Sequence, residues 1–178
     1  LGMVDGFFGN PKVRIPLPEN LRKVEGLMRK LGMGKHADEL EIAMNRAAEA
    51  AVPEAKTLLV NSIKQMSVKD AKAILTGGDD AATQYFKRAT AEPLTGKFRP
   101  IVKKAMAKVR LAEKYDEFAG KGVKFGLVKE EDAHLENYVT ARALDGLYLM
   151  IGEEERAIRK DPLSAVGSLA KRVFGALR

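Results

Sequence analysis

The chain contains no cysteine and no tryptophan, and only two histidines. Without cysteine there is no disulfide, no thiolate metal ligand and no thiol nucleophile, and this residue type says nothing of the redox compartment. Aromatic residues make up only 6% of the chain. A core of Ala, Leu, Val, Ile and Met suits packed helices, whose axes approach closely over small side chains. No apolar run approaches the roughly 20 residues that cross a bilayer. No signal peptide opens the chain, which begins Leu1-Gly2-Met3; a start without methionine points to a processed or trimmed N-terminus, at which any address label would have been removed. Catalytic signatures are missing too. The serines lie in helix caps or towards the end of the chain, with no G-x-S-x-G elbow to expose a nucleophile. There is no internal repeat and no low-complexity segment.

What is present bounds the architecture. A chain of 178 residues, 46% hydrophobic and 31% charged, fits one soluble globular domain that buries about 70% of the surface its unfolded form exposes. The formal net charge of +7 permits attraction to nucleic acid, anionic lipid or an acidic partner, and by itself shows none of them.

The stretch TGGDDAATQYF, Thr76 to Phe86, is the pivot of the pattern. Ser67 and Asp70 form a capping box, after which Val68, Ala71, Ile74 and Leu75 fall on one helical face. Gly77 follows the last apolar position, so a left-handed glycine is expected to close that helix, with Asp79 or Asp80 capping the next. Ala81, Ala82, Tyr85, Phe86 and Ala89 are the expected buried stripe of that second helix. A phosphate-cradling loop also places glycines before a helix, but here two carboxylates sit at the positive end of the dipole and no Lys-Ser/Thr pair follows.

Taken in order, residues 1 to 18 are rich in Gly and Pro and read as an extended N-terminal arm, with Val13, Ile15 and Leu17 alternating with Lys12, Arg14 and Pro16. Phe7 and Phe8 pin its start. Residues 19 to 178 form the helical domain. Glu19 to Leu31 is the first helix, and a second runs from Lys35 until Pro53 kinks or restarts it. Glu92-Pro93 reads as a fresh helix start, with Pro100 bending or restarting that helix further along. Lys97, Lys104 and Lys108 share a basic face there, but no helix-turn-helix or aromatic-interleaved motif accompanies them, so nucleic acid is a poor match. The segment Glu130 to Lys160 is the longest helical candidate, and its apolar middle suggests cover on most sides. Asp161-Pro162 ends it. The sum is a single all-α multi-helix bundle of about seven or eight helices.

Four stretches carry a family resemblance: GNPKVRIPLPENL (Gly9 to Leu21), AAVPEAK (Ala50 to Lys56), ILTGGDDAATQYF (Ile74 to Phe86) and IRKDP (Ile158 to Pro162). On these the chain resembles the bacterial domain-of-unknown-function family numbered 4197. Members look like secreted proteins with a signal peptide or lipoprotein signal, so the resemblance implies a periplasmic or cell-envelope location. It transfers no activity, catalytic residue or cofactor.

Candidate chemistry is sparse. Glu131 and His134 have the E-x-x-H spacing of carboxylate-bridged di-iron bundles, but such a site needs two copies and two further glutamates, and a solvated helix start explains one copy as well. Glu153, Glu154 and Glu155 are adjacent, point in different directions on a helix and read as a wet face. Tyr138, Arg142, Asp145 and Leu149 share one stripe, where Arg142 and Asp145 form either a structural ion pair or a ligand-contacting pair. Leu163, Val166, Leu169, Ala170, Val173, Phe174 and Leu177 form an apolar face beside Lys171, Arg172 and Arg178. That face either packs on the bundle or docks on an anionic membrane or in a partner's groove. The candidate binding residues are therefore Tyr138, Arg142, Asp145, Lys171, Arg172 and Phe174; no catalytic residue, metal or cofactor is expected. The functional expectation is a non-enzymatic envelope module that binds a protein partner, a membrane surface or an apolar ligand. The alternative is an enzyme with an acidic cleft.

Overall fold

The computed structural model of the chain describes residues 1–124, 126 and 133–163, without the side chains of Val24 and of residues 117–123. Among the described residues seven α-helices follow one another: α1 (Glu19–Lys30), α2 (Gly34–Ala51), α3 (Ala55–Lys64), α4 (Val68–Thr76), α5 (Ala81–Met106), α6 (Arg110–Lys124) and α7 (Leu135–Lys160). A short 3-10 turn, Val52–Glu54, separates α2 from α3. Pro53 sits at its start, where the missing N–H breaks the ladder of α2 and the chain restarts one turn later. No strand occurs among the described residues. The fold is an all-α bundle.

Helix α5 is its axle, packed against α7 and α2 and flanked by α3 and α4. Its buried residues are Thr83, Thr90, Leu94, Phe98, Val102 and Met106, so over its first turns the inward positions are Thr83 and Thr90 in place of the expected Ala82 and Ala89, and Ala89 is exposed. Leu94, Phe98 and Val102 are fully buried in one cluster with Leu40, Met44 and Ala48 of α2 and Val139 and Ala143 of α7. Each such Leu, Phe or Val contributes about 1.5–3 kcal/mol relative to its exposed state. Neither proline ends α5, contrary to the expected restart at Glu92-Pro93. Pro93 and Pro100 lie seven positions apart on the exposed side, as do Ala89 and Gly96 four residues before each. The carbonyls that lose an intrahelical partner therefore belong to solvent-facing residues and can take water, while the opposite face holds the helix by packing.

Polar side chains carried by one helix satisfy the backbone of another segment. Residues 14–18 run extended over α2 and α7 with Ile15 and Leu17 buried and Arg14 and Pro16 exposed. No strand pairs with them, and buried Asn45 of α2 takes that role: the Ile15 N–H donates to its Oδ1 at 2.8 Å and its Nδ2 donates to the Ile15 carbonyl at 2.9 Å. One turn further, buried Glu49 accepts from the N–H groups of Phe7 (3.0 Å) and Phe8 (3.2 Å) and pairs with Arg46 at 2.7 Å. Asp116 of α6 accepts from the Leu135 N–H at 2.9 Å, capping α7 from outside. Each of these backbone groups would cost ~1–3 kcal/mol if buried without a partner.

Gly77 departs from expectation. Its φ is −83 and ψ −177, an extended conformation open to any residue. The position needs glycine for room instead: a Cβ there would stand 2.6 Å from the Ala73 carbonyl oxygen and 2.6 Å from the Ala81 Cβ. The capping box before α4 is present, with the Asp70 N–H donating to Ser67 Oγ at 3.0 Å and the Ser67 N–H to Asp70 Oδ2 at 3.0 Å. Yet α4 has no fully buried residue, and Val68 and Leu75 are 88% and 80% exposed. Of its apolar face, Ala71 and Ile74 are half-buried while Val68 and Leu75 stay open.

Candidate functional site

The turn between α4 and α5 is fastened by α7. Asp80 is the N-cap position of α5 but its side chain caps nothing; it accepts from Gln84 Nε2 instead. The Ala81 N–H donates to the Gly78 carbonyl, and the next two amides of α5 go to Glu155 of α7. Ala82 N–H donates to Oε1 at 2.8 Å, Thr83 N–H to Oε2 at 2.8 Å and Thr83 Oγ1 to Oε2 at 2.6 Å. A carboxylate at the positive end of a helix dipole is well placed, and this one arrives from a distant segment. Arg159, one turn along α7, donates through Nη2 to Glu155 Oε1 at 2.8 Å and to the Ile74 carbonyl near the end of α4 at 2.8 Å. One i, i+4 pair thus ties the end of α4 and the start of α5 to α7.

Burial pushes the Glu155 carboxyl up, but the hydrogen bonds from Thr83 Oγ1, the Ala82 and Thr83 amides and Arg159 outweigh it and hold the group down at about 2. Glu155 is 7% exposed, so the expected wet face of three glutamates does not extend to it. Its spacing carries the signal that the run obscures: Leu144, Tyr148 and Gly152, all buried, lead to Glu155 at helical intervals.

Above this fastening lies an apolar cleft of about 940 Å³. Ile74 and Leu75 of α4 and Ala82 and Phe86 of α5 line one side, and Leu147, Met150, Ile151 and Ile158 of α7 the other. Leu1, Asp5, Gly6, Asn10 and Pro162 complete the lining. Among the described residues, Asp5, Asn10, Glu154, Glu155 and Arg159 bring polar side chains to it. Asp5 is paired with Arg46 at 2.8 Å and Glu155 with Arg159. Leu75 and Ile158, 80% and 50% exposed, leave apolar surface open at the rim. Sequence reasoning missed this cleft because its walls come from four separate stretches.

The residues Tyr138, Arg142 and Asp145 do come together, in a second and more polar hollow of about 600 Å³ between α7 and residues 12–22. Tyr138 Oη donates to the Pro16 carbonyl at 2.9 Å. Arg142 and Asp145 form a 3.0 Å ion pair, but their side chains are 51% and 53% exposed. They stand with Ala141 and Leu149 on the one open side of the middle of α7, around the rest of which Ala143, Leu144, Gly146, Leu147 and Tyr148 are buried, as its composition suggested. Lys171, Arg172 and Phe174 lie outside the described residues, as does Glu131 of the E-x-x-H pattern. His134 is half-exposed at the N-cap of α7 with Nδ1 4.0 Å from Asp116 Oδ2. Among the described residues no group of three or more His, Asp or Glu side chains is placed to hold a metal ion. No described helix is long and apolar enough to cross a membrane.

The family model described as "Protein of unknown function (DUF4197)" matches residues 1–175. The chain therefore belongs to that family. No curated protein and no solved structure matches it.

Proposed function

We propose that this member of the family is a non-enzymatic binding module of the cell envelope, whose cleft takes a ligand with a long apolar chain and a polar end left at the rim. The observation that carries the reading is the cleft itself. Its volume of about 940 Å³ lies at the upper end of the ~300–1,000 Å³ of small-molecule sites, and it shares their composition of mostly apolar walls with a few polar groups. Open apolar surface at Leu75 and Ile158 is the kind that a ligand covers. The envelope location rests on the family resemblance, whose members look like secreted proteins.

The carboxylates of the cleft argue for binding over catalysis. A general acid needs a pKa near the working pH, and Glu155 is held at about 2. Asp5 is committed to Arg46. Glu154 alone is left, without the second carboxylate that glycoside hydrolysis by a carboxylate pair requires.

A fluorescence titration with 11-(dansylamino)undecanoic acid tests the reading. The intact chain is expected to enhance and blue-shift the dansyl emission with saturation. Ile158→Glu and Leu75→Glu, both at exposed positions, should weaken binding at least about tenfold while leaving the melting temperature unchanged, since surface substitutions alter stability by only ~0.5 kcal/mol. Absence of saturable binding, or equal binding by both variants, overturns it.

A further inference from the structure

We propose that the outer face of α5, from Pro93 onward, docks on the anionic headgroups of a lipid bilayer. A break at the two prolines would have divided its cations between separate helices. Because α5 runs unbroken from Ala81 to Met106, they stand on one rigid rod, held from behind by the buried side chains of Phe98, Val102 and Met106. Lys97 and Lys104, seven residues apart, share one edge of the exposed side, and Arg99 and Lys103, four apart, share the other. Lys108 follows in the turn after Met106. All five are exposed, and no Asp or Glu occurs from Pro93 to Lys108. None of the five makes an ion pair among the described residues. Carboxylates stand only at the margins: Lys103 borders a hollow that also holds Glu113, Asp116 and Glu136, and Glu92 lies one turn before Gly96.

The shape of the face selects the partner. Between its two edges lie Pro93, Gly96, Pro100 and Ala107, all exposed and all short. A flat partner can approach this middle row closely, so that the long side chains of both edges reach it at once. The face holds no aromatic ring to stack a base, no amide or hydroxyl side chain to read one, and no large apolar side chain to anchor a protein. A layer of anionic headgroups needs none of these, because charge alone draws it to the surface. Headgroup hydroxyls also find acceptors there, since the Ala89 and Gly96 carbonyls, freed by Pro93 and Pro100, lie on this side. The surface is separate from the cleft, which none of these residues lines.

Co-sedimentation with vesicles of equal parts phosphatidylcholine and phosphatidylglycerol tests the proposal. At low salt the intact chain should sediment with these vesicles and not with phosphatidylcholine alone, and added salt should release it. Each Lys or Arg near such a surface raises partitioning roughly fivefold, so Lys97→Gln, Arg99→Gln and Lys104→Gln together should weaken it about a hundredfold. Lys23→Gln, Lys30→Gln and Lys35→Gln together remove the same charge from exposed positions of α1 and α2, and should weaken it by less than about fivefold. The chain has no native cysteine, and a side chain at Gly96, or at Gly26 of α1, meets nothing within 4 Å. A spin label on Gly96→Cys should therefore lose collisions with an aqueous nickel chelate when vesicles are added, while one on Gly26→Cys keeps them. No sedimentation at low salt, equal weakening by the two triple variants, or equal protection of the two labels overturns the proposal. Release of the bound chain by an equal phosphate concentration of duplex DNA overturns it too, and identifies nucleic acid as the partner.

Discussion

Glu155 is the residue on which the cleft depends, because it accepts three hydrogen bonds from α5 and two from Arg159 while 7% exposed. Glu155→Gln replaces one acceptor by a donor facing donors and leaves Arg159 without its counter-charge, so a loss of about 2–4 kcal/mol in chemical denaturation at neutral pH is expected. The pH dependence has a definite sign. The folded-state value of about 2 lies below the ordinary 4.5, so the stabilisation is fully present above about 4.5 and is lost as pH falls through about 2. The gap between wild type and Glu155→Gln should therefore narrow over that window, and a gap constant from neutral to acid pH would contradict the assignment. Gly77 offers a second residue-level check. A side chain there meets the Ala73 carbonyl and Ala81 Cβ at 2.6 Å, whereas one at Gly78 meets nothing within 4 Å. Gly77→Val should cost more than about 1 kcal/mol by overpacking, and Gly78→Ala should not destabilise. Equal effects at the two glycines would refute the steric explanation. The sequence identified Gly77 as special but for the wrong reason: local pattern shows that a helix stops there, and only the fold shows what crowds it.

At the scale of elements, helix existence was legible and helix continuity was not. The apolar periodicities of α1, α2 and α7 and the capping box of α4 are local signals, and each lies where it was expected, save that α7 begins at Leu135 and not at Glu130. The prolines of α5 misled because a proline costs a helix less when its face looks to water, and which face that is depends on α2 and α7. Helix α4 shows the converse. Its apolar face is plain in the sequence, yet it has no fully buried residue, and its link to α7 runs through the Arg159 bond to the Ile74 carbonyl. Arg159→Met keeps the stem and removes that bond. Amide exchange over Val68–Thr76 should then speed up by about tenfold or more, the loss of roughly 1.4 kcal/mol of local protection, while α5 from Leu94 to Met106 keeps its rate. Unaltered exchange in α4 would show that the arginine is not what holds it.

For the whole molecule, the all-α class followed from composition and periodicity, whereas the cleft could not. Its walls are residues 1–10, the end of α4, the start of α5 and the last turns of α7, and no local spacing predicts that these meet. The stripe of Tyr138, Arg142 and Asp145 was readable because i, i+4, i+7 spacing lies within one helix, and those residues do share one hollow. Their ion pair is about half exposed, so its contribution is that of a surface pair, ~0–1 kcal/mol. The most direct measurement of the proposed function uses the seven methionines as methyl probes. Met150 lines the cleft, while Met28, Met44 and Met106 are buried away from it. In methyl-labelled protein, titration with undecanoic acid should shift the Met150 resonance progressively and saturably and leave those of Met28, Met44 and Met106 in place. A Met150 signal that does not move while the acid is demonstrably in excess, or equal shifts at all four, would contradict an apolar-chain site in the cleft.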